Sequence, residues 1–137
     1  MKLHESGEDY LETILILENR KGIVRSIDVA EYLGYTKPSV SVAMRNLREG
    51  GFLEMDADHF IRLTEAGRAI AEKIYERHQF FTSGLVQLGV EPEQAEREAC
   101  KIEHDISDET FERLKAYYAE SVQTEASEIS AGKEQAQ

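Results

Sequence analysis

The chain has 137 residues, 41% of them hydrophobic, and a formal net charge of −11, a size that suits one domain or two small subdomains stabilising each other. No apolar run approaches the roughly 18 residues of a membrane span, and the opening Met-Lys-Leu-His-Glu lacks the apolar core of a signal peptide, so a cytoplasmic protein with no membrane partner is expected. One cysteine, Cys100, excludes a disulfide within the chain and leaves packing, reactivity or metal binding as its uses.

The acidic excess is uneven. From Glu65 onward 16 acids face 8 bases, a balance of −8 that leaves −3 for the first 64 residues. Between Tyr32 and Arg48 there is no Asp or Glu, while Lys37, Arg45 and Arg48 supply three positive charges. An acidic protein repels a polyanion except where its positive charge is segregated, and this segment is such a place.

From Glu8 to Glu18, Tyr10, Leu11, Ile14 and Leu17 gather on one face of an amphipathic helix, with Asp9 and Glu12 opposite. Taken alone that acidic face reads as solvated, although Ile16 shares it and hints at a cover. Ser26 is a good N-cap for a short helix through Val29, Ala30 and Leu33, which Gly34 can end in the left-handed conformation. Thr36 caps the next helix, Pro38 fits its first turn, and it runs to about Glu49 before Gly50-Gly51. Helix, short turn with Gly, helix is the helix-turn-helix pattern.

In the second of these helices Val40, Ala43, Met44 and Leu47 face inward. Pro38, Ser41, Val42 and Arg45 face outward, flanked by Lys37, Asn46 and Arg48, with Thr36 and Ser39 at the helix start. This face suits a major groove: Arg45 can pair with guanine or phosphate, Val42 can touch a thymine methyl, and Ser41 can bond to phosphate. A basic solvated helix is the plainer alternative. Phe52–Met55 and His59–Leu63 then form a hairpin, or wing, around Asp56-Ala57-Asp58, with Arg62 in reach of a phosphate.

Thr64 caps a long helix from Glu65 to about Leu88 with Ala66, Ile70, Ile74, Phe81 and Leu85 as its apolar stripe. His78 falls on that stripe and suits a core position or a ligand role equally. Glu91-Pro92 starts the next helix, whose seam is Ala95, Ala99, Ile102 and Ile106. There Cys100, Glu103 and His104, at i, i+3 and i+4, share one face. All three side chains ligate transition metals, and thiolate with imidazole favours iron, cobalt, nickel or zinc over magnesium and calcium. A buried Cys beside a surface His is the bland alternative. Ser107-Asp108-Glu109 restarts a helix carrying Phe111, Leu114 and Tyr118, and residues 121–137 have the composition of a disordered tail or a frayed helix extension.

In order, Glu8-Asp-Tyr-Leu-Glu12, the helix-turn-helix, Leu63-Thr-Glu-Ala-Gly67, Arg77-His78 and Glu98-Ala-Cys-Lys-Ile-Glu-His104 with Ser107-Asp108-Glu109 resemble the diphtheria-toxin-repressor and manganese-transport-regulator family of metal-dependent transcriptional repressors. The resemblance covers nearly the whole chain to about Tyr118. It implies a mainly α fold: a winged helix-turn-helix DNA-binding domain over 1–64, a helical metal-binding and dimerisation domain over 65–120, and a tail over 121–137. It also implies a homodimer on double-stranded palindromic operator DNA, with no organic cofactor and no catalysis. The family's metal ligands fall on Asp9, Glu12, His78, Cys100, Glu103 and His104.

Manganese-type members are similar at Asp9 and Glu12 but carry a carboxylate in place of Cys100. Iron-type members are similar at Cys100, Glu103 and His104 but usually have Met in place of Asp9. Their ancillary site needs a carboxylate and a His where this chain has Thr82 and Glu96, which leaves Glu96 as an accessory donor beside His78. Thiolate chemistry at Cys100 tilts the expected cofactor towards iron(II) and Asp9 and Glu12 tilt it back towards manganese(II), which leaves iron(II) or manganese(II) with iron modestly ahead and zinc, cobalt or nickel able to substitute in vitro. The SH3-like domain of longer iron-type repressors is expected to be absent. Two other functions remain open: a winged-helix regulator sensing a redox or other non-metal signal through Cys100, and a metal-dependent hydrolase with Glu103 as base.

Overall fold

Helix α1 (Glu5–Lys21) carries Glu5 and Glu8 in its first turn and Arg20 and Lys21 in its last, the charge order its macrodipole favours. The computed structural model describes residues 3–135, with side chains through residue 121, and buries α1 on more than one side. Leu11, Ile14, Leu15 and Leu17 are in the core, and Glu12 and Thr13 are buried between them. The solvated face expected at Glu12 is therefore covered.

Helices α2 (Ser26–Leu33) and α3 (Lys37–Glu49) form the helix-turn-helix. The cap of α2 lies one residue earlier than expected. Arg25 is the N-cap, its N–H donating to the Asp28 carboxylate at 2.8 Å, so Ser26 is the first helical residue. Gly34, at φ 71°, closes α2 in the left-handed conformation. Thr36 caps α3 by accepting the Ser39 N–H at 3.4 Å. Val40, Met44 and Leu47 of α3 share one core with Leu11, Ile14 and Leu15 of α1, so α1 backs the helix that faces outward.

Strands β1 (Leu53–Met55) and β2 (Ile61–Leu63) pair antiparallel, Leu53 opposite Leu63 and Glu54 opposite Arg62. They are shorter than expected because the Asp56 carboxylate accepts the N–H groups of Asp58 and Phe60 and draws those residues into the turn, with His59 at φ 64°. Val24 adds an antiparallel bridge to Ile61, which the sequence pattern did not reveal.

Thr64 caps α4 (Glu65–Gln87): its hydroxyl accepts the Gly67 N–H at 3.1 Å and donates to the Gly51 carbonyl at 2.7 Å. The buried line of α4 is Gly67, Ala71, Ile74 and Arg77, which shares only Ile74 with the expected stripe. Ala66 is exposed, and Ile70, Phe81 and Leu85 are only half-buried. The cause is a close approach: a Cβ at residue 67 would lie 1.9 Å from the Phe52 carbonyl oxygen. That carbonyl is itself held by the Thr64 N–H at 3.2 Å. Gly67→Ala is thus expected to destabilise the fold by about 3 kcal/mol, seen as a lower denaturation midpoint. An unchanged midpoint would show that the Phe52 backbone steps aside.

Helix α5 (Pro92–Ile102) packs on α4, and its N-cap Glu91 accepts the N–H groups of Glu93 and Gln94. Helix α6 (Asp108–Gln135) is capped by Ser107, whose hydroxyl accepts the Thr110 N–H at 3.1 Å. The α6 backbone continues through the stretch expected to be a tail, whose side chains beyond residue 121 lie outside the described residues. By packing, the chain forms two units, Met1–His104 and Asp105–Gln137. Within the first unit, contacts of α1 with α4 and of α4 with α5 join the first 64 residues to the helices that follow. Among the described residues no helix is long and apolar enough to cross a membrane.

Candidate functional site

The end of α5, the middle of α4 and the first turns of α1 meet at one cluster of donors. α5 stops at Ile102, so Glu103 is its C-cap and His104 lies beyond it. At φ −59° and ψ −24°, Glu103 still keeps helical geometry and the spacing from Cys100 holds. The Arg77 guanidinium donates to the Glu103 carbonyl at 3.2 Å and fixes this corner.

Glu103 is wholly buried and stands between two imidazoles. One carboxylate oxygen is 2.8 Å from His78 Nδ1 and the other is 3.4 Å from His104 Nε2. Cys100 Sγ is 3.7 Å from His78 Nδ1. His104 Nε2 lies 2.8 Å from Asp9 Oδ1, and its Nδ1 lies 3.1 Å from Glu8 Oε1. Glu12 joins the cluster through the charge of Glu103. The structure thus brings all six expected metal residues together although 95 positions separate the two ends of the set, Asp9 and His104.

Crowding of acids changes which groups hold protons. Burial first, and then the Glu103 charge, push the Glu12 carboxyl up to about 8. The Cys100 and Glu103 contacts raise His78 to about 10 against the effect of burial. Burial also opposes charge on His104, but the Asp9 hydrogen bond and charge prevail with help from Glu8, raising it to about 9. These shifts favour the cationic form of both imidazoles and the neutral form of Glu12.

Protons leave this cluster incompletely satisfied. Glu12 Oε2 and Glu103 Oε1 are buried with no hydrogen bond among the described residues, a state that costs about 1–3 kcal/mol per group. Buried carboxylate oxygens beside imidazoles and a thiol fit a divalent cation. His78, Cys100 and Glu103 hold one donor atom each within 4.8 Å of one another, and so do Glu5, Asp9 and His104. Glu96 stands further out, 3.9 Å from His78 Nε2 and largely exposed. With Thr82, whose hydroxyl is buried without a partner among the described residues, it lines a 560 Å³ cleft reaching His78 and Cys100.

Glu5 and Glu8 were not anticipated as members. Their signal was present: acids at 5, 8, 9 and 12 follow the i, i+3, i+4, i+7 spacing of one helical stripe, but the expected helix began only at Glu8.

On the opposite side of the core, Thr36, Lys37, Pro38, Ser39, Ser41, Val42, Arg45 and Arg48 are all exposed. Ser41, Arg45 and Arg48 line a 380 Å³ cleft together with Arg25, Ser26 and His59. Arg25, stacked 4.6 Å over the Phe60 ring, is a basic residue missing from the expected set because Asp28 and Glu31 separate it from the acid-free segment. Arg62 is exposed, but Glu54 is its cross-strand partner and offsets its charge.

Comparison with known proteins gives this geometry a family. Residues 2–59 match the model described as iron dependent repressor, N-terminal DNA binding domain, and residues 64–126 match iron dependent repressor, metal binding and dimerisation domain. The transcriptional regulator MntR of Escherichia coli O6:H1 is 36% identical over 110 residues, covering 80% of this chain and 71% of its own. The iron-dependent repressor IdeR of Mycobacterium bovis is 32% identical over 114 residues, covering 82% of this chain and 50% of its own. The solved structure of the manganese regulator SloR superposes with a TM-score of 0.74 at 27% identity, covering 87% of this chain and 55% of that one. The chain spans about half the length of that regulator and of the iron-dependent relative. Because two domain models together account for the helix-turn-helix and the donor cluster alike, and relatives of both metal types align across them, this chain belongs to the iron-dependent repressor family of metal-dependent transcriptional regulators.

Proposed function

We propose that this protein is a metal-activated DNA-binding repressor that controls metal homeostasis, working as a homodimer on a palindromic operator. One observation carries the reading: α1 holds Asp9 against His104 on one side and packs under the outward-facing helix α3 on the other. Any force that fixes Asp9 and Glu12 relative to His78, Cys100, Glu103 and His104 is transmitted through Leu11, Ile14 and Leu15 to Val40 and Met44. A bound divalent ion supplies, as one compact charge, what two imidazolium protons now supply in part. The chain's own residues do the rest: Glu103 spans the two imidazoles, Arg77 fixes its backbone, and Glu8 orients His104.

In a dimer the two α3 helices must reach successive major grooves, about 34 Å apart, and a rigid α1 junction narrows the spacings that the pair samples. Helix α6 exposes Leu114, Tyr117 and Tyr118, an apolar surface of the kind that dimer interfaces cover. Thiol and imidazole donors favour iron(II), while Asp9 and Glu12 supply oxygen suited to manganese(II). An anaerobic DNA-binding titration at equal free iron(II) and manganese(II) tests the proposal: operator affinity must rise with metal, and indifference to both ions sinks it.

Arg45 is the residue on α3 with most to lose. Arg45→Ala is expected to weaken operator binding by about 1–3 kcal/mol while leaving metal affinity intact. Fluorescence anisotropy with labelled operator reads the first and equilibrium dialysis the second. Unchanged DNA affinity removes Arg45 from the contact set.

A further inference from the structure

Helix α1 meets α4 at two polar places. Towards its start, Asp9 and Glu12 line one cleft with His78. Towards its end, the Arg68 guanidinium donates to the Glu18 carboxylate at 2.8 Å. We infer that Glu18 and Arg68 are positioning residues for the metal response: their ion pair is a metal-independent anchor that holds α1 on α4 and keeps Asp9 and Glu12 within reach of the ion. This inference rests on the reading that the donor cluster binds metal, and adds to it two residues that touch neither metal nor DNA.

Spacing along the two helices is the first support. Asp9 and Glu18 are nine positions apart, and Arg68 and His78 are ten. At the usual rise of about 1.5 Å per residue, the ion pair and the donors stand about 14 Å apart along α1 and about 15 Å apart along α4. The helices therefore run antiparallel with matched ties at the two ends of their contact. Between the ties the contact is apolar, with Leu11, Ile14 and Leu15 sharing a core with Ala71 and Tyr75. Apolar burial is non-directional and leaves sliding and rotation of α1 inexpensive, whereas a charge-assisted hydrogen bond fixes its register.

The second support is where the anchored end leads. Lys21, three positions beyond Glu18, pairs with Asp28 of α2 at 2.7 Å, and the other oxygen of Asp28 accepts the Arg25 N–H that begins α2. Ion pairs thus run from α4 through the last turns of α1 into the helix-turn-helix. Glu18 is also well covered, its side chain only 16% exposed against 43% for Arg68, so salt screens this pair less than one in open solvent. A tie that persists without metal restricts α1 before the ion arrives. Its loss lowers the fraction of metal-free molecules whose Asp9 and Glu12 stand ready, and apparent metal affinity falls with that fraction.

Equilibrium dialysis of the whole chain with manganese(II) tests the inference in Glu18→Gln, Arg68→Gln, Arg68→Lys and the exchanged pair Glu18→Arg with Arg68→Glu. Each Gln variant should bind manganese(II) about fivefold more weakly, the upper range for a partly exposed pair. By linkage, each should also need about fivefold more free metal for half-maximal operator binding. Arg68→Lys and the exchanged pair keep opposite charges in place and should recover most of the loss. Circular dichroism confirms that every variant is folded at the temperature of measurement, so a role in stability alone lowers the denaturation midpoint and leaves manganese affinity unmoved. That result overturns the inference, as does a loss that neither Arg68→Lys nor the exchanged pair reverses. Failure of the unaltered chain to bind manganese(II) or iron(II) overturns the metal-binding reading itself, and is thereby told apart from failure of the anchor.

Discussion

Glu103→Ala is expected to abolish metal-stimulated DNA binding while the protein stays folded and dimeric. Among the described residues Glu103 is the one side chain that touches both imidazoles, and it is wholly buried. Its loss removes a buried donor that faces both imidazoles and should weaken metal by at least about a hundredfold, the upper range for residues that only orient a ligand. The metal-free protein suffers as well, since His78 and His104 keep their enclosed positions without the carboxylate between them. Breaking a buried ion pair costs about 3–5 kcal/mol, reduced here because both histidines can give up their protons. Glu103→Gln separates the two effects: it keeps the volume and a hydrogen-bonding oxygen but not the charge, so its stability should lie nearer the unaltered protein while metal response is still lost. Metal-dependent operator binding that survives in both variants would exclude Glu103 from the site.

Local chemistry made much of this fold legible. Thr36 with Pro38 announced α3, Thr64 announced α4, Gly34 announced the end of α2, and each sits where that chemistry requires. Where reading failed, a distant partner had overridden a local pattern. Ser26 looked like a cap, but Asp28 supplies the carboxylate that Arg25 needs, and carboxylate outcompetes hydroxyl for that N–H. Periodicity on α4 favoured Ala66 and Ile70, yet the Phe52 carbonyl demands a residue without Cβ at 67 and turns the helix towards Gly67 and Ala71. Glu12 read as solvated because the nearby hint of a cover, Ile16, does not say that α4 and the end of α5 supply it. The donor set itself was legible through family resemblance, and its division into two groups was not, because that depends on which side of Glu103 each imidazole stands.

Metal loading should drive at least three protons per subunit into solution at pH 7. Glu12, His78 and His104 hold their protons up to about 8, 10 and 9, and none can ligate while protonated. The combined loading constant should then climb about a thousandfold per pH unit near neutrality, one factor of ten for each proton displaced. Without metal the dependence runs the other way. All three groups have folded-state pKa values above their ordinary 4.5 or 6.5, so their stabilisation is complete below those ordinary values and is lost as pH rises through about 8, 9 and 10. The metal-free melting temperature should accordingly fall as pH climbs from about 6.5 to 9.5, while the loaded protein, whose carboxylates no longer repel one another, resists that fall. Calorimetry in buffers of different ionisation enthalpy counts the protons, and melting curves with chelator or with manganese(II) test the crossover. Release of fewer than one proton per subunit at pH 7 would mean that the imidazoles are already neutral before metal arrives, and the idea that protons hold the empty site together would fall with it.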